Sequence, residues 1–259
     1  MKLTHIHSID QDELLIYKHL RDKTLSLDNS FIADSPKVVN ILLKSDIKVK
    51  SILATKEYYD EFENLLQNKE IEYLYVADKK ELQKIVGHRI HHNCMMHGTR
   101  PDDIPLDRLG DNIIMVDKIT SSENIGSIVR SAAGFGVGSC LVSKQSPHPF
   151  ARRALRVSMG YASRLKIHIY EDIFQTIKRL KDDGYRVYAA ELSIDATKLF
   201  EIKPSKKWVI IMGHEGEGIS KEVLEICDEI VSIEMQEDVK SFNVSVAASI
   251  MMYQFVNKV

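Results

Sequence analysis

The sequence predicts an α/β protein with a mostly parallel sheet, preceded by a smaller α/β unit. Strand and helix patterns alternate along most of its 259 residues, most regularly from Asn112 onward. The 100–105 stretch is rich in proline and aspartate, as linkers are. Polar side chains follow several apolar strands, the position at which parallel sheets bind ligands. We therefore expect two domains, over residues 1–105 and 106–259.

The first domain reads as alternating short elements of a compact unit. Ser35 and Pro36 have the residue types of an N-cap and a first helical position. Apolar residues at helical spacing indicate an amphipathic helix over 56–68. The expected helices are 12–20, from 36, 56–68 and 79–86, the last closed by Gly87, and the expected strands are 49–54 and 72–77.

Seven of the ten histidines fall in the first 105 residues. His88, His91, His92 and His97 surround Cys94, but their spacing fits no common zinc-ligand pattern. We therefore expect a surface strand with polar faces here and no metal.

The second domain has the regular alternation of a parallel sheet covered on both faces. Two of its helices end at Gly136 and Gly184, which suit C-caps. The last helix is apolar nearly all round and must be buried, in the core or against a second subunit. The expected strands are 113–116, 138–142, 167–170, 186–192, 208–212 and 230–235, and the expected helices are 124–135, 151–159, 171–183, from 219, and 244–256.

The net charge of −2 conceals one strongly basic segment. Between residues 146 and 166 there are five basic residues and no acidic one. This segment is equally well a phosphate-contacting face and a solvated helix face. Its basic residues are Arg152, Arg153, Arg156, Arg164 and Lys166.

The cysteine pattern favours a reducing, cytoplasmic setting. Cys94, Cys140 and Cys227 are far apart, form no C-x-x-C pair and are odd in number, so we expect three free thiols. No apolar run reaches the length of a membrane span, and the N-terminus does not resemble a signal peptide.

The common motifs for dinucleotide binding, P-loop phosphate binding and hydrolase nucleophiles are all absent. What remains is a set of polar residues in three predicted strand-to-helix turns. Each alone could be a helix cap or a surface residue, but together they indicate an active site. They are Asn124, Arg130, Glu215, Ser241 and Asn243.

Three ordered segments resemble the motifs of the SpoU (TrmH-like) RNA 2′-O-ribose methyltransferases, of the SPOUT superfamily. Residues 124–132 (NIGSIVRSA) resemble motif 1, residues 211–220 (IMGHEGEGIS) motif 2, and residues 233–247 motif 3. Residues 156–160 resemble a segment that the family carries between motifs 1 and 2. His214, Glu234 and Phe242 stand where the motifs usually have Asn, Pro and Leu.

The resemblance implies a trefoil-knotted α/β domain, an exception to the usual absence of knots. It implies that S-adenosylmethionine binds in the knot through backbone near Gly213, Ile233 and Phe242, and that the protein is a homodimer. The first 105 residues resemble, less sharply, the RNA-binding domain that many members carry.

The resemblance also implies roles for the polar residues. Arg130 would bind a phosphate and the developing alkoxide of the RNA, from its own or the partner subunit. Asn124 would orient Arg130 or the ribose, and Glu215, Ser241 and Asn243 would shape the methyl site. Arg152, Arg153 and Arg156 would hold RNA phosphates.

Two other functions remain open on the sequence. The protein could be an inactive RNA-binding or assembly protein on the same fold, or a methyltransferase that acts on an RNA base. The sequence leaves tRNA and rRNA equally open as substrates.

Overall fold

The computed structural model of the chain describes residues 3–6, 10–18, 29–86, 92–236 and 238–258. They form two compact units. The first contains Met1–Asp102 with Phe150–Ser163, and the second contains Asp103–Pro149 with Arg164–Val259. The boundary predicted at residue 105 lies close to the observed one at residue 102. The prediction did not include segment 150–163 in the first unit, where the structure places it. In that segment the Phe150 ring lies 5.3 Å from the ring of Phe31.

The first unit contains a mixed five-stranded sheet in the order β1-β4-β3-β5-β2. The pairs β1/β4 and β3/β4 are parallel, whereas β5 runs antiparallel to both β3 and β2. The strands are β1 (Thr4–His5), β2 (Ser30–Asp34), β3 (Lys48–Ala54), β4 (Ile71–Val76) and β5 (Cys94–Thr99), and the helices are α1 (Leu15–Lys18), α2 (Pro36–Leu43), α3 (Lys56–Glu61), α4 (Glu63–Gln67) and α5 (Lys79–Val86).

Several predictions for this unit are corrected. The histidine-rich segment was expected to form a surface strand. Its strand, β5, instead lies between β3 and β2 within the sheet, and Cys94, Met95 and Met96 are buried. The single helix expected over 56–68 is two helices, interrupted at Phe62. Strand β2 was not predicted. Gly87, His88 and His91 lie outside the described residues, as does the end of the helix expected over 12–20.

Ser35 and Pro36 occupy the predicted first positions of α2. The Ser35 side chain makes no capping hydrogen bond, however, and its backbone has a φ of 79°. The helix start is therefore set by proline, whose φ is already helical, more than by a side-chain cap.

The second unit contains a seven-stranded sheet in the order β10-β12-β9-β11-β6-β7-β8, in which every pair is parallel. The strands are β6 (Asn112–Val116), β7 (Ser139–Ser143), β8 (Lys166–Tyr170), β9 (Arg186–Ala190), β10 (Thr197–Lys198), β11 (Trp208–Met212) and β12 (Glu229–Ser232). The helices numbered after α5 are α6 (Ser122–Phe135), α7 (Arg152–Val157, within the first unit), α8 (Ile173–Asp182), α9 (Lys221–Ile226) and α10 (Val244–Lys258).

The predicted mostly parallel α/β architecture is confirmed for this unit, with shifted element ends. Strand β9 ends at Ala190 and β12 at Ser232, earlier than expected. Helix α6 begins at Ser122 because Ser121 provides its N-cap, and it ends at Gly136 in the left-handed region, with φ 77°. The short edge strand β10 was not predicted.

The centre of this sheet places β11 beside β6. From β6 the chain continues to β7 on one side, whereas from β11 it continues to β12 on the other. The chain therefore leaves the carboxyl ends of these two neighbouring strands in opposite directions along the sheet. Such a reversal opens a crevice at the carboxyl ends of parallel strands, where ligands bind.

Helix α10 is buried on one face only. Ala248, Met251, Met252 and Phe255 are buried, and Phe255 contacts the rings of Tyr188 and Trp208. The opposite face exposes three apolar side chains, which are Val246, Ile250 and Tyr253. The predicted burial of this helix within its own chain therefore holds for one face and not for the opposite one.

Candidate active site

The turn after β11 is closed by hydrogen bonds between its two ends. Residues His214 and Gly218 exchange two backbone hydrogen bonds, of 3.1 and 3.0 Å. A Cβ at Gly213 would lie 2.5 Å from the carbonyl carbon of Gly218, so no larger residue fits there. Gly218 has a φ of 70°, in the left-handed region that favours glycine. Gly213 and Gly218 are therefore required by the shape of this turn.

The His214 side chain stabilises the middle of the same turn. Its Nδ1 accepts hydrogen bonds from the backbone N–H groups of Gly216 and Glu217, both at 3.1 Å. Nδ1 must therefore be unprotonated, which leaves the proton of the neutral ring on Nε2. An asparagine oxygen could make the same two bonds, so histidine here preserves the local structure of the motif.

Glu215 connects this turn to the start of helix α6. One carboxylate oxygen accepts from the backbone N–H and hydroxyl of Thr120, and the other accepts from the Ser121 N–H and the Asn124 amide. Partial burial raises the pKa of Glu215, but the hydrogen bonds from Asn124, Thr120 and Ser121 outweigh it and hold the pKa at about 2. Glu215 is therefore an anionic anchor rather than a proton donor near neutral pH.

Asn124 extends the connection to the last helix. Its side-chain oxygen accepts from Nδ2 of Asn243 at 3.1 Å. The Asn243 oxygen accepts from the N–H and the hydroxyl of Ser245, at 2.9 and 2.7 Å, which caps the start of α10. One chain of hydrogen bonds thus joins Glu215, Asn124 and Asn243, which come from the three turns that the sequence singled out.

Glu191 is a site residue that the sequence analysis did not single out. It follows β9, and its carboxylate accepts from the backbone N–H groups of Ile219 and Leu192 at 2.8 and 3.0 Å. A Cβ at Gly218 would collide with Oε2 of Glu191, so the carboxylate packs directly against the turn. The sequence signal for Glu191 is an acidic residue near the end of a parallel strand, but the apolar pattern predicts a strand that continues to Leu192.

A cleft of about 290 Å³ opens beside the turn, at the carboxyl ends of β9, β11 and β12. Within the described part of the chain, the backbone N–H groups of Gly213, Ile233 and Phe242 donate no hydrogen bond. The lining comprises Ala190, Glu191, Leu192, residues 212–218, Val231, Ser232, Ile233, Met235, residues 240–242, Val244, Ala247 and Met251. The predicted residues Gly213, Glu215, Ile233, Ser241 and Phe242 all lie at this cleft.

Arg130 is not brought to this cluster within its own chain. It is exposed and does not line the cleft, and its side chain makes no hydrogen bond or ion pair to the described residues. Six residues separate it from Asn124 on α6, which turns it about 120° away around the helix axis. Asn124 points to Glu215, so Arg130 points elsewhere.

The basic segment includes an arginine that pairs with a buried carboxylate. Arg152 forms hydrogen bonds of 2.6 and 2.7 Å with Oδ2 of Asp34, whose side chain is completely buried. The Arg156 guanidinium lies 3.9 Å from the other Asp34 oxygen, and about half of its side chain is exposed. Arg152 therefore has a structural role in the first unit, whatever else it contacts.

Among the described residues, no cluster of His, Cys, Asp and Glu side chains could hold a metal ion, and none of the helices has the length and apolarity to cross a bilayer. None of the three cysteines forms a disulfide.

Comparison with known proteins identifies a family model. Residues 111–253 match the model described as the SpoU rRNA Methylase family. A Mycobacterium avium protein named as an uncharacterized tRNA/rRNA methyltransferase is 30% identical over 182 residues. The alignment covers 67% of this chain but only 59% of that relative, so this chain spans less than two thirds of the relative's length.

The fold is shared with solved structures over nearly the whole chain. The AdoMet-bound rRNA methyltransferase from Sinorhizobium meliloti superposes with a TM-score of 0.84 and 20% identity, covering 97% of each chain. The SpoU methyltransferase AviRb from Streptomyces viridochromogenes, in complex with AdoMet, gives a TM-score of 0.83 and 19% identity, covering 95% and 98%. At these identities the likeness establishes the fold alone.

Proposed function

Because this chain belongs to the SpoU rRNA methylase family, we propose that it transfers a methyl group from S-adenosylmethionine to a ribose 2′-hydroxyl of tRNA or rRNA. The observation that carries the proposal is the hydrogen-bonded chain Glu215–Asn124–Asn243, which ties three turns together beside one cleft. Such an arrangement holds a site in one geometry before substrates arrive, as methyl transfer requires.

The cleft has the features that S-adenosylmethionine needs. Backbone N–H groups of Gly213, Ile233 and Phe242 offer donors to a purine or a carboxylate. Apolar lining from Leu192, Ile233 and Phe242 suits an adenine ring, since ligand sites combine apolar walls with a few placed polar groups. The named relative and the AviRb structure both concern methyltransferases, and AviRb was solved with AdoMet.

The proposed reaction uses two parts of the site. The cleft binds the methyl donor, and a second part, the acceptor side, binds the RNA ribose that accepts the methyl group. S-adenosylmethionine held at Gly213, Ile233 and Phe242 would supply an electrophilic methyl group to the ribose oxygen, and the electron pair of the carbon–sulfur bond would remain on sulfur. Glu215, Ser241 and Asn243 shape the methyl side of the site. Since the pKa of Glu215 is held at about 2, it does not serve as the base near neutral pH.

Arg130 completes the acceptor side from the second subunit of a homodimer. Its side chain points away from Asn124 in its own chain, and it has no partner among the described residues. The exposed face of α10, with Val246, Ile250 and Tyr253, provides an apolar surface for the dimer contact. There Arg130 binds the neighbouring phosphate and the developing alkoxide, and that phosphate or a water takes the proton, because a guanidinium is not deprotonated.

The remaining features follow from the same proposal. The first unit binds structured RNA, with Arg153 and Arg156 as phosphate contacts and Arg152 held by Asp34. The second unit carries the trefoil knot. The free thiols suit a cytoplasmic enzyme.

The test is methyl transfer from labelled S-adenosylmethionine to total RNA, followed by digestion and nucleoside mass spectrometry. A 2′-O-methylated nucleoside is the expected product. A methylated base as the product would show that the protein methylates an RNA base and not the ribose. Cofactor binding with no product on any RNA would favour an inactive assembly protein, and mapping the modified nucleotide separates tRNA from rRNA.

A further inference from the structure

Glu191 brings a negative charge to the cleft. It is partly buried at the end of β9, and its carboxylate forms part of the lining. Its two hydrogen bonds both come from neutral backbone N–H groups, of Ile219 and Leu192. No basic side chain of the described residues forms an ion pair with it. A partly buried carboxylate that has no cationic partner in the protein favours the binding of a ligand that carries a positive charge.

The other charged lining residues do not cancel this charge. Glu215 is already saturated by four hydrogen bonds from the α6 side, and Glu217 is exposed. Lys240 is the basic residue of the lining, and it forms no ion pair with Glu191. The cleft therefore presents three carboxylates against one ammonium group, and Glu191 is the one with unsatisfied acceptor capacity and partial shielding from water.

We propose that Glu191 is a specificity-determining residue that makes the cleft prefer the cationic methyl donor over its neutral-sulfur product. This inference rests on the proposed function. S-adenosylmethionine carries a sulfonium charge that S-adenosylhomocysteine lacks, whereas the two share every other group except the methyl. A fixed negative charge in a cleft of reduced dielectric strengthens binding of the donor alone and favours release of the product.

A purely structural role makes a different prediction. If Glu191 only supports the glycine turn, its loss weakens both ligands equally, because they share the nucleoside that the turn would contact. The ratio of the two dissociation constants therefore separates charge selection from support. Glu191→Gln is the suitable change, since its amide oxygen can still accept from Ile219 while the charge is removed.

The experiment is isothermal titration calorimetry of the full chain with S-adenosylmethionine, S-adenosylhomocysteine and sinefungin, which carries an ammonium group in place of the sulfonium. In Glu191→Gln we expect S-adenosylmethionine and sinefungin to bind about fivefold to tenfold more weakly and S-adenosylhomocysteine to change less than twofold. Glu222→Gln is the matched control, because Glu222 is fully exposed on α9 and outside the cleft. It should leave all three affinities unchanged.

A second measurement needs no variant. In the wild-type protein, raising the salt concentration should reduce the preference for S-adenosylmethionine over S-adenosylhomocysteine, since salt screens charge interactions. An equal loss of all three ligands in Glu191→Gln, or an unchanged ratio, would overturn the inference while leaving the proposed function standing. Failure of the wild-type protein to bind any of the three ligands would instead overturn the proposed function itself.

Discussion

The side-chain amide of Asn124 lies 2.9 Å from the carboxylate of Glu215, although 91 residues separate them in sequence. Asn124 is the third residue of helix α6, and Glu215 lies in the glycine turn after β11. Their hydrogen bond joins the turn after β11 to the start of the helix that follows β6, at the point where the strand order reverses. This contact and the neighbouring hydrogen bonds to Thr120 and Ser121 therefore hold the start of α6 beside the cleft.

The Glu215 anchor predicts a defined pH dependence of stability. Its pKa is lowered from 4.5 to about 2 in the folded protein, so its stabilisation is complete above about pH 4.5 and is lost as the pH falls towards 2. Glu215→Gln should cost about 1 kcal/mol near neutral pH, a modest value because the side chain is largely solvated. Urea unfolding of both proteins between pH 7 and pH 3 measures the difference. A difference that grew on acidification would contradict this prediction.

Replacing Asn124 by aspartate should be worse than removing its side chain. Asn124→Asp places a carboxylate beside Glu215 and replaces a donor by an acceptor, so like charges oppose each other. We expect Asn124→Asp to lose about 2 kcal/mol of stability and Asn124→Ala about 1 kcal/mol. Both should reduce methyl transfer at least tenfold. Chemical denaturation and a methylation assay measure the two effects, and equal stability of the variants would argue against a charged Glu215.

The glycine turn offers a paired test of cofactor binding. Gly213→Ala should abolish measurable binding, because its Cβ would lie 2.5 Å from the backbone of Gly218. Gly216→Ala in the same turn should bind almost normally, since its Cβ would be at least 3.6 Å from its nearest neighbours. Calorimetry with S-adenosylmethionine compares them. Similar affinities for the two variants would show that the turn does not form the binding site.

The position of Arg130 can be tested by mixing two inactive variants. Under the proposed function, Arg130→Ala lacks the arginine that would contact the RNA, and Gly213→Ala lacks the turn that would bind the cofactor. If Arg130 acts across the dimer, a mixed dimer contains one intact site, and co-refolding the variants should restore about a quarter of wild-type activity on random subunit exchange. Each variant refolded alone serves as the control. No recovery in a sample proven to contain mixed dimers would place Arg130 in its own subunit's site.

Arg152 and Arg156 of α7 should separate into a structural residue and an RNA-binding residue. Arg152→Ala leaves the buried Asp34 carboxylate without its main partner and should cost about 3 kcal/mol of stability. Adding Asp34→Asn should recover much of that loss. Arg156→Ala should instead leave stability nearly unchanged and reduce the salt dependence of RNA binding by about one phosphate contact. Loss of stability in Arg156→Ala with an unchanged salt slope would assign it to the Asp34 cluster alone.

The regular part of the fold could be predicted because it depends on local patterns. Strand β11 was predicted with both ends correct, since five consecutive apolar residues are bounded by a lysine and a glycine. Gly136 ended α6 as expected because only glycine readily takes its left-handed conformation. Strand β2 was missed although it is as long as β11. Its two ends are polar, Ser30 and Asp34, and its burial comes from neighbouring strands and α7 rather than from its own periodicity.

The sequence by itself determined the parallel sheet of the second unit, its glycine turns and the residue types of the site, since these follow from hydrophobic periodicity, backbone conformation and short motifs. Only the tertiary structure decided which side chains meet. It joined Glu215 to Asn124, set Glu191 against Gly218, placed Asp34 under Arg152 and turned Arg130 away from the cleft. The physical reason is that hydrogen bonds and ion pairs between distant residues depend on strand order and side-chain direction, which local sequence patterns do not encode.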